Sequence, residues 1–227
     1  MPLLYTIGQW IAAPAIKLTW RPKVEGLEHI PTTGGAIIAG NHLSVADEYF
    51  LGSIIPRHVS FWAKSDYFTG TGVSGFLFKT LMDGLGAIPV NREGGRQALH
   101  AFDSAIPVLQ NGGLVALYPE GTRSPDGKLY RGRTGVARLA LAADVPIIPV
   151  GVIGTQKVQP IGQVMPKPLT GNGEVTIRFG KPIEIGQWKD AAVASTAARE
   201  LTDTVMQAIQ QLTGQEYVGR YAPKREG

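Results

Sequence analysis

The sequence predicts an α/β fold: a mixed, mainly parallel sheet flanked by helices, with an amphipathic helix at the N-terminus. Short runs rich in Val and Ile alternate along the chain with stretches of helical periodicity. Strands separated by helices of about 10 to 15 residues are typical of parallel sheets covered on their faces. The polar clusters directly follow strands, and ligand sites of such sheets lie beyond the carboxyl ends of strands.

The same patterns place the individual elements. The predicted strands are Ala36–Ala39, Val59–Ala63, Ala87–Asn91, Leu114–Tyr118, Pro146–Ile153 and Val175–Phe179. Predicted helices lie near 47–55, 73–84, 96–111, 134–143 and 190–212. No linker, charge block or internal repeat interrupts this alternation, so a single main domain over 23–227 is expected.

Composition excludes several classes of protein. A chain of 227 residues with a 44% hydrophobic fraction has enough apolar material for a sizeable core, which excludes general disorder. Cysteine is absent, so disulfides, thiolate nucleophiles and cysteine-bound metals are excluded. The net charge of +4 is too small for a typical nucleic-acid binder. Anionic small molecules or an anionic membrane surface are the better expectation for partners.

The N-terminal segment, residues 1–22, is predicted to associate with a membrane. Leu3, Ile7, Trp10 and Ile11 fall on one helical face, and cations follow from Lys17 onward. The uncharged stretch is shorter than the roughly 20 residues that span a bilayer, so it is expected to lie at the surface. The alternative is an ordinary amphipathic helix that docks on the domain's own core.

The first polar cluster is Asn-His-Leu-Ser-Val-Ala-Asp, residues 41–47, directly after a strand. On a regular helix His42 and Asp47 would point apart, but a strand end followed by a tight turn brings them together. Asp47 then accepts the Nδ1 proton of His42 and leaves Nε2 as a base. The alternative makes Asp47 a helix N-cap and His42 an ordinary loop histidine.

The second cluster is Tyr-Pro-Glu-Gly-Thr-Arg-Ser, residues 118–124, again after a strand. Gly121 permits a sharp turn, Arg123 offers a planar fork for phosphate, and Thr122 and Ser124 add hydroxyl donors. A helix cap or a Glu120–Arg123 pair is the plainer interpretation.

Two further stretches complete the pattern. Residues 86–92 indicate a short strand that would deliver Arg92 at its end. Residues 145–151, Val-Pro-Ile-Ile-Pro-Val-Gly, carry no reactive side chain and indicate a buried supporting strand or the wall of an apolar channel.

These four blocks, in this order, resemble the glycerolipid acyltransferase family, whose members include the 1-acylglycerol-3-phosphate acyltransferases. The Asn-His-x-Ser-x-x-Asp, Pro-Glu-Gly-Thr-Arg-Ser and Val-Pro-Ile-Ile-Pro-Val blocks match at every fixed position. The block that ends at Arg92 is looser, because the family often has an aromatic residue before that arginine. The resemblance spans roughly residues 24 to 185 and implies a glycerol-3-phosphate acyltransferase-like fold.

The resemblance also implies roles for individual residues. His42 would be the general base and Asp47 would orient it, without a covalent acyl-enzyme. The implied substrate-binding residues are Arg92, Glu120, Gly121, Thr122, Arg123 and, on a single-residue match, Lys64. A thioester is already activated, so a positioned base suffices without a metal or a further cofactor.

By the same resemblance, the protein would acylate the free hydroxyl of 1-acylglycerol 3-phosphate (lysophosphatidic acid) to give phosphatidic acid in phospholipid biosynthesis. Acyl-CoA or acyl carrier protein would donate the acyl group. The enzyme would attach peripherally to the cytoplasmic face of the cell membrane, without a nucleic-acid partner.

Other functions stay open at this point. The alternative acceptors within the same family are glycerol 3-phosphate, another lysophospholipid and a glycolipid, and a non-catalytic lipid-binding protein would use similar loops. Gly70 to Gly75 match the dinucleotide fingerprint G-x-G-x-x-G, but lie too far beyond the predicted strand end at Ala63. A serine hydrolase is disfavoured because no G-x-S-x-G elbow occurs. No acidic or histidine cluster has metal-ligand spacing.

Overall fold

A computed structural model describes residues 3–64, 72–90, 96–167, 175–189 and 194–223 of the chain. Its strands are β1 (Lys23–Glu25), β2 (Ala36–Gly40), β3 (Val59–Lys64), β4 (Ile88–Val90), β5 (Leu114–Leu117), β6 (Ile147–Ile153) and β7 (Thr176–Phe179). Its helices are α1 (Leu3–Trp20), α2 (Ala46–Ile54), α3 (Gly72–Gly84), α4 (Arg96–Gln110), α5 (Gly135–Ala143), α6 (Thr155–Val158), α7 (Gly186–Lys189) and α8 (Ala194–Thr213). A single 3₁₀ turn, Leu27–His29, follows β1.

The strands form one mixed, mainly parallel sheet, as predicted. Its order is β1-β7-β6-β2-β5-β3-β4, and all pairs are parallel except β6 with β7. The six predicted strands agree with the structure to within about two residues in the described ranges, a usual error at element ends. The three-residue strand β1 and the one-turn helices α6 and α7 were not predicted, since such short elements carry little periodic signal.

Helices cover both faces of the sheet. Successive side chains of the central strands point alternately to one face and to the other. Ile37 faces a cluster with α4, α5 and α8, whereas its neighbour Ile38 faces a cluster that includes α2. The central strands β2, β5 and β6 are buried on both sides, which explains why their sequences are continuous apolar runs.

Helix α1 is apolar on two opposite faces. Tyr5 and Ala13 are buried, and Trp20 packs edge-on against Phe50 of α2. The predicted stripe is on the other side: Trp10 is 79% exposed and Ile11 is 70% exposed. The stripe therefore does not dock on the domain's own core. Within the described ranges, no helix combines the length and the apolar character that a bilayer span requires.

Candidate active site

Three adjacent parallel strands bring three of the sequence blocks to one edge of the sheet. Strand β2 lies between β5 and β6, with Ala39 beside Leu117 and Gly40 beside Val150. The carboxyl ends of these strands therefore lie side by side. Residues 41–47, 118–124 and the segment after β6 consequently meet there, although they are far apart in the sequence.

His42, in the turn after β2, and Asp47, in the first turn of α2, form a direct pair. The distance from His42 Nδ1 to Asp47 Oδ2 is 2.8 Å, and the His42 residue is only 6% exposed. The structure thus has the tight turn that the sequence predicted. With Nδ1 held by the carboxylate, the tautomer of a neutral His42 is fixed and Nε2 is its basic ring nitrogen.

Asp47 is fully buried and organises the whole turn. Its Oδ2 also accepts the backbone N–H groups of Leu43 at 2.8 Å and Ser44 at 3.0 Å. The Thr155 hydroxyl donates to its Oδ1. Both bonded amides precede the helix, so Asp47 is not the N-cap of α2. Four donors around one carboxylate compensate for its burial and fix its orientation.

The loop after β5 holds His42 from the other side. Glu120 Oε1 accepts the His42 backbone N–H at 3.2 Å, and the Ser124 backbone N–H donates to the His42 carbonyl at 2.7 Å. The Tyr118 ring stacks on the imidazole, with centroids 3.8 Å apart and planes at 7°. The imidazole is therefore oriented by its ring contacts, and its backbone is clamped by hydrogen bonds.

Glu120 is buried, and both of its oxygens accept backbone N–H groups. Besides the contact to His42, Oε2 accepts the Tyr130 N–H at 2.8 Å. Burial raises the pKa of the Glu120 carboxyl from 4.5 to about 7, against the opposing effect of these two bonds. The side chain therefore joins the His42 turn to the segment at Tyr130; its role toward a substrate stays a prediction.

This raised pKa predicts a pH-dependent stability. The folded state binds the Glu120 proton more tightly than the unfolded state, so the stabilisation is full below pH 4.5 and is lost as pH rises through about 7. Glu120→Gln cannot titrate there. Relative to wild type, we expect the variant to gain roughly 2 to 3 kcal/mol of unfolding free energy between pH 5 and pH 8. Urea unfolding of both proteins at the two pH values measures this change, and a constant difference would contradict it.

Gly121 and a second arginine shape the loop beside His42. Gly121 has a φ of +76°, which favours glycine, and a Cβ there would lie 3.1 Å from Arg133 Nε. The Arg133 guanidinium also lies over the Tyr221 ring, 5.2 Å from its centroid. Arg123 and Thr122 are half-buried in the same loop. Cationic side chains therefore lie at this edge of the sheet, as an anionic ligand would require.

The expectation that Ser124 offers a hydroxyl to a ligand is wrong. Its Oγ donates to the Lys128 carbonyl at 2.8 Å and accepts the Gly127 N–H at 3.0 Å. The side chain stabilises the turn that follows the loop, because a serine hydroxyl readily bonds to nearby backbone groups.

Asn41 and Thr155 are positioning residues to which the sequence analysis assigned no role. The Asn41 amide donates to the Val152 carbonyl at 2.8 Å and accepts the Val152 N–H at 2.7 Å, so it continues the β2–β6 pairing beyond the strand. Thr155 holds Asp47. The signal for both was position: Asn41 precedes His42, and Thr155 closely follows the apolar block that proved to be the buried strand β6.

Some predicted residues lie outside what the structure describes. Arg92 is in the segment 91–95, which is not described, and only the backbone of Lys64, the last residue of β3, is described. The motif from Gly70 to Gly75 lies partly in the gap at 65–71, and α3 begins at Gly72. His29 and His58 each bond to a backbone carbonyl through one ring nitrogen. The described part of the chain contains no cluster of potential metal ligands.

Comparison with known proteins identifies relatives. The family model described as Acyltransferase matches residues 21–153. The 1-acyl-sn-glycerol-3-phosphate acyltransferase LPAT1, chloroplastic, of Arabidopsis thaliana is 29% identical over 178 residues, which cover 78% of this chain and 48% of that protein. The 1-acyl-sn-glycerol-3-phosphate acyltransferase of Bacillus subtilis (strain 168) is 27% identical over 192 residues, 84% of this chain and 87% of that protein. The chain spans about half the length of the chloroplast relatives it matches.

A solved structure shares the fold. The crystal structure of the 1-acyl-sn-glycerophosphate (LPA) acyltransferase PlsC from Thermotoga maritima matches with a TM-score of 0.68 and 24% identity, over 92% of this chain and 79% of that chain. The family model alone matches more than half of the chain, including the turn of His42 and the loop of Arg123. This chain therefore belongs to the acyltransferase family.

Proposed function

We propose that this protein transfers a fatty acyl group from an acyl thioester to the free hydroxyl of 1-acylglycerol 3-phosphate, giving phosphatidic acid. The observation that carries the proposal is the buried His42–Asp47 pair, 2.8 Å apart, clamped against the loop of Arg123. A purely lipid-binding protein does not need an imidazole oriented by a carboxylate. The names of the Arabidopsis and Bacillus relatives support the choice of acceptor.

In this proposal His42 is the general base. Its Nε2 takes the proton from the acceptor hydroxyl while that oxygen attacks the thioester carbonyl. The carbon–sulfur bond then breaks, and the thiolate recovers the proton from the imidazolium. Asp47 fixes the imidazole tautomer and stabilises the imidazolium that forms. Neither a covalent acyl-enzyme nor a cofactor besides the acyl donor takes part.

The acceptor phosphate would bind at the loop 118–124. Arg123 supplies the guanidinium fork, with Gly121 and Thr122 beside it, and Glu120 keeps the loop against the His42 turn. Arg92 and Lys64 are proposed as further phosphate ligands from the family resemblance alone. Charge-assisted hydrogen bonds of this kind are about twice as strong as neutral ones, so they suit the anchoring of a phosphomonoester.

Arg123→Ala is expected to raise the KM for lysophosphatidic acid about tenfold to a hundredfold, because one charged hydrogen-bond partner of the phosphate is lost. The KM for the acyl donor should stay nearly unchanged. Arg123→Lys is the matched variant. It keeps the charge but loses the planar fork, so its KM for lysophosphatidic acid should lie between those of wild type and Arg123→Ala. Steady-state kinetics with each substrate varied in turn measures this, and a defect confined to the donor would contradict the assignment.

We further propose peripheral attachment to the cytoplasmic face of the membrane through residues 1–22. The outer face of α1 presents Trp10 and Ile11, and the exposed Lys17 lies near its end. Trp10→Ser combined with Ile11→Ser should sharply reduce flotation with phosphatidylglycerol-containing vesicles. Ala12→Ser with Ala15→Ser, exposed on the same helix, should leave flotation intact. Equal flotation of both double variants would overturn this proposal.

The function is tested by product identification. Oleoyl-CoA and palmitoyl-acyl carrier protein are each offered with lysophosphatidic acid, glycerol 3-phosphate or lysophosphatidylcholine, and the lipid products are identified by mass. The proposal predicts phosphatidic acid from lysophosphatidic acid as the main product. Preferential acylation of another acceptor would reassign the substrate, and no product from folded protein with any pair would overturn the proposed activity.

A further inference from the structure

An exposed apolar loop follows α6 at the same edge of the sheet as His42. This loop, residues 160–167, is called the apolar loop below. Val164 is 86% exposed and Met165 is 75% exposed, and Ile161 is also exposed. Adjacent large apolar side chains held in water are unusual on a soluble surface and mark a site of interaction.

The apolar loop is held in shape by a buried side chain. Gln159 Nε2 donates to the carbonyls of Gln163 at 3.1 Å and Val164 at 2.9 Å. The Lys167 N–H returns to the Val158 carbonyl at 2.7 Å and closes the loop. The exposure of Val164 and Met165 is therefore a feature built by specific hydrogen bonds.

The same glutamine ties the apolar loop to the candidate active site. The Ser44 hydroxyl donates to the Gln159 carbonyl at 2.6 Å, and the Ser44 N–H donates to Asp47 Oδ2. Ser44 therefore connects Gln159, which supports the apolar loop, with Asp47, which orients His42. Because of this link, a surface that binds the apolar loop would be held at a fixed distance from the His42 turn.

The apolar loop also adjoins helix α1. Trp20 at the end of α1 donates its indole N–H to the Lys167 carbonyl at 2.9 Å. Leu18 and the cations Lys17, Arg21 and Lys167 are exposed around this junction. Apolar side chains with flanking cations match the interface of an anionic bilayer, where acyl chains lie beneath phosphate groups.

We propose that the apolar loop is a second membrane contact, in which Val164 and Met165 insert at the boundary between headgroups and acyl chains. This inference rests on the proposed function, because an enzyme with a lipid acceptor needs its active site at His42 to face the bilayer. Together with α1 it gives two separate points of contact. A helix that lies in the surface leaves the domain free to roll about the helix axis. A contact away from that axis stops this rotation and so aims the His42 edge at the lipid.

The test compares the full-length wild type with Val164→Ser combined with Met165→Ser. Burial of two such side chains implies that binding to vesicles of phosphatidylcholine and phosphatidylglycerol falls about tenfold to a hundredfold in the variant. Gln163→Ser, at an exposed polar side chain of the same loop, is the control and should bind like wild type. Thermal unfolding should be unchanged in both, because the replaced side chains are exposed.

Turnover separates this inference from the proposed function. The double variant should acylate a water-soluble, short-chain lysophosphatidic acid at the wild-type rate, but acylate long-chain acceptor in vesicles more slowly. Weakened vesicle binding supports the membrane contact even if no acceptor is turned over, in which case the proposed function alone fails. Unchanged vesicle binding overturns the inference, and so does a change from dimer to monomer in the variant, which would make a second copy of the chain the occupant.

Discussion

His42→Ala is expected to lower kcat by about 10²- to 10⁴-fold, the range typical of a lost general base. The fold should persist, because the backbone N–H and carbonyl of residue 42 keep their bonds to Glu120 and Ser124. The variant leaves Asp47 without its imidazole partner, so some loss of stability accompanies the loss of rate.

His29→Ala is the matched control for this variant. His29 also has a ring nitrogen within 2.9 Å of an acceptor, but that acceptor is the backbone carbonyl of Phe179. Initial rates of thiol release, with urea unfolding of each variant, separate chemistry from folding. Near-normal turnover by folded His42→Ala, or an equal loss in His29→Ala, would contradict the assignment of the base.

Asp47→Asn is expected to reduce kcat by about 10²- to 10⁴-fold as well, since it removes the charge that stabilises the imidazolium. The amide oxygen of Asn can still accept the N–H groups of Leu43 and Ser44. Its NH₂ group would then face Thr155 Oγ1, a hydroxyl that can accept. The turn should therefore survive while the chemistry is lost.

Thr155→Val provides the contrast to Asp47→Asn. It removes one donor to Asp47 but leaves the charge and the contact to His42, so we expect about 1 to 3 kcal/mol of destabilisation. Its kcat should fall by much less than that of Asp47→Asn. Kinetics and urea unfolding of the two variants measure both effects, and the account fails if Thr155→Val loses as much activity as Asp47→Asn.

Sequence patterns predicted six of the seven described strands and the polar residues that follow β2 and β5. Long buried strands such as β6 and β2 are continuous apolar runs, and the residues that follow them are polar. The pairing of His42 with Asp47 was predictable because only four residues separate them, so the local geometry of one turn into α2 decides it.

Contacts between distant segments were not predictable in this way. Thr155 contacts Asp47, and Asn41 contacts Val152, only because β2 and β6 are neighbours in the sheet. The hydrophobic periodicity of a sequence predicts strands but does not predict their order in a sheet. Ser124 illustrates the opposite error. Its position in a polar loop predicted that the Ser124 hydroxyl would bind a ligand. Instead the hydroxyl bonds to nearby backbone groups, as serine hydroxyls often do.

Helix α1 shows the limit of a single stripe. The pattern of Trp10 and Ile11 identified an apolar face, but Tyr5, Ala13 and Trp20 form a second one that docks on the domain. Periodicity indicates that a face is apolar and does not indicate which surface covers it. The exposure of the first face is decided by the packing of the second.

The central claim is direct transfer, in which His42 activates the acceptor for attack on the thioester. The most direct measurement is rapid-quench thiol release from oleoyl-CoA, with and without lysophosphatidic acid, alongside the intact mass of the protein. The account predicts thiol release only when acceptor is present, one phosphatidic acid for each thiol, and no acylated protein. A burst of about one thiol per protein without acceptor, with a hydroxylamine-sensitive acyl group on the chain, would contradict it.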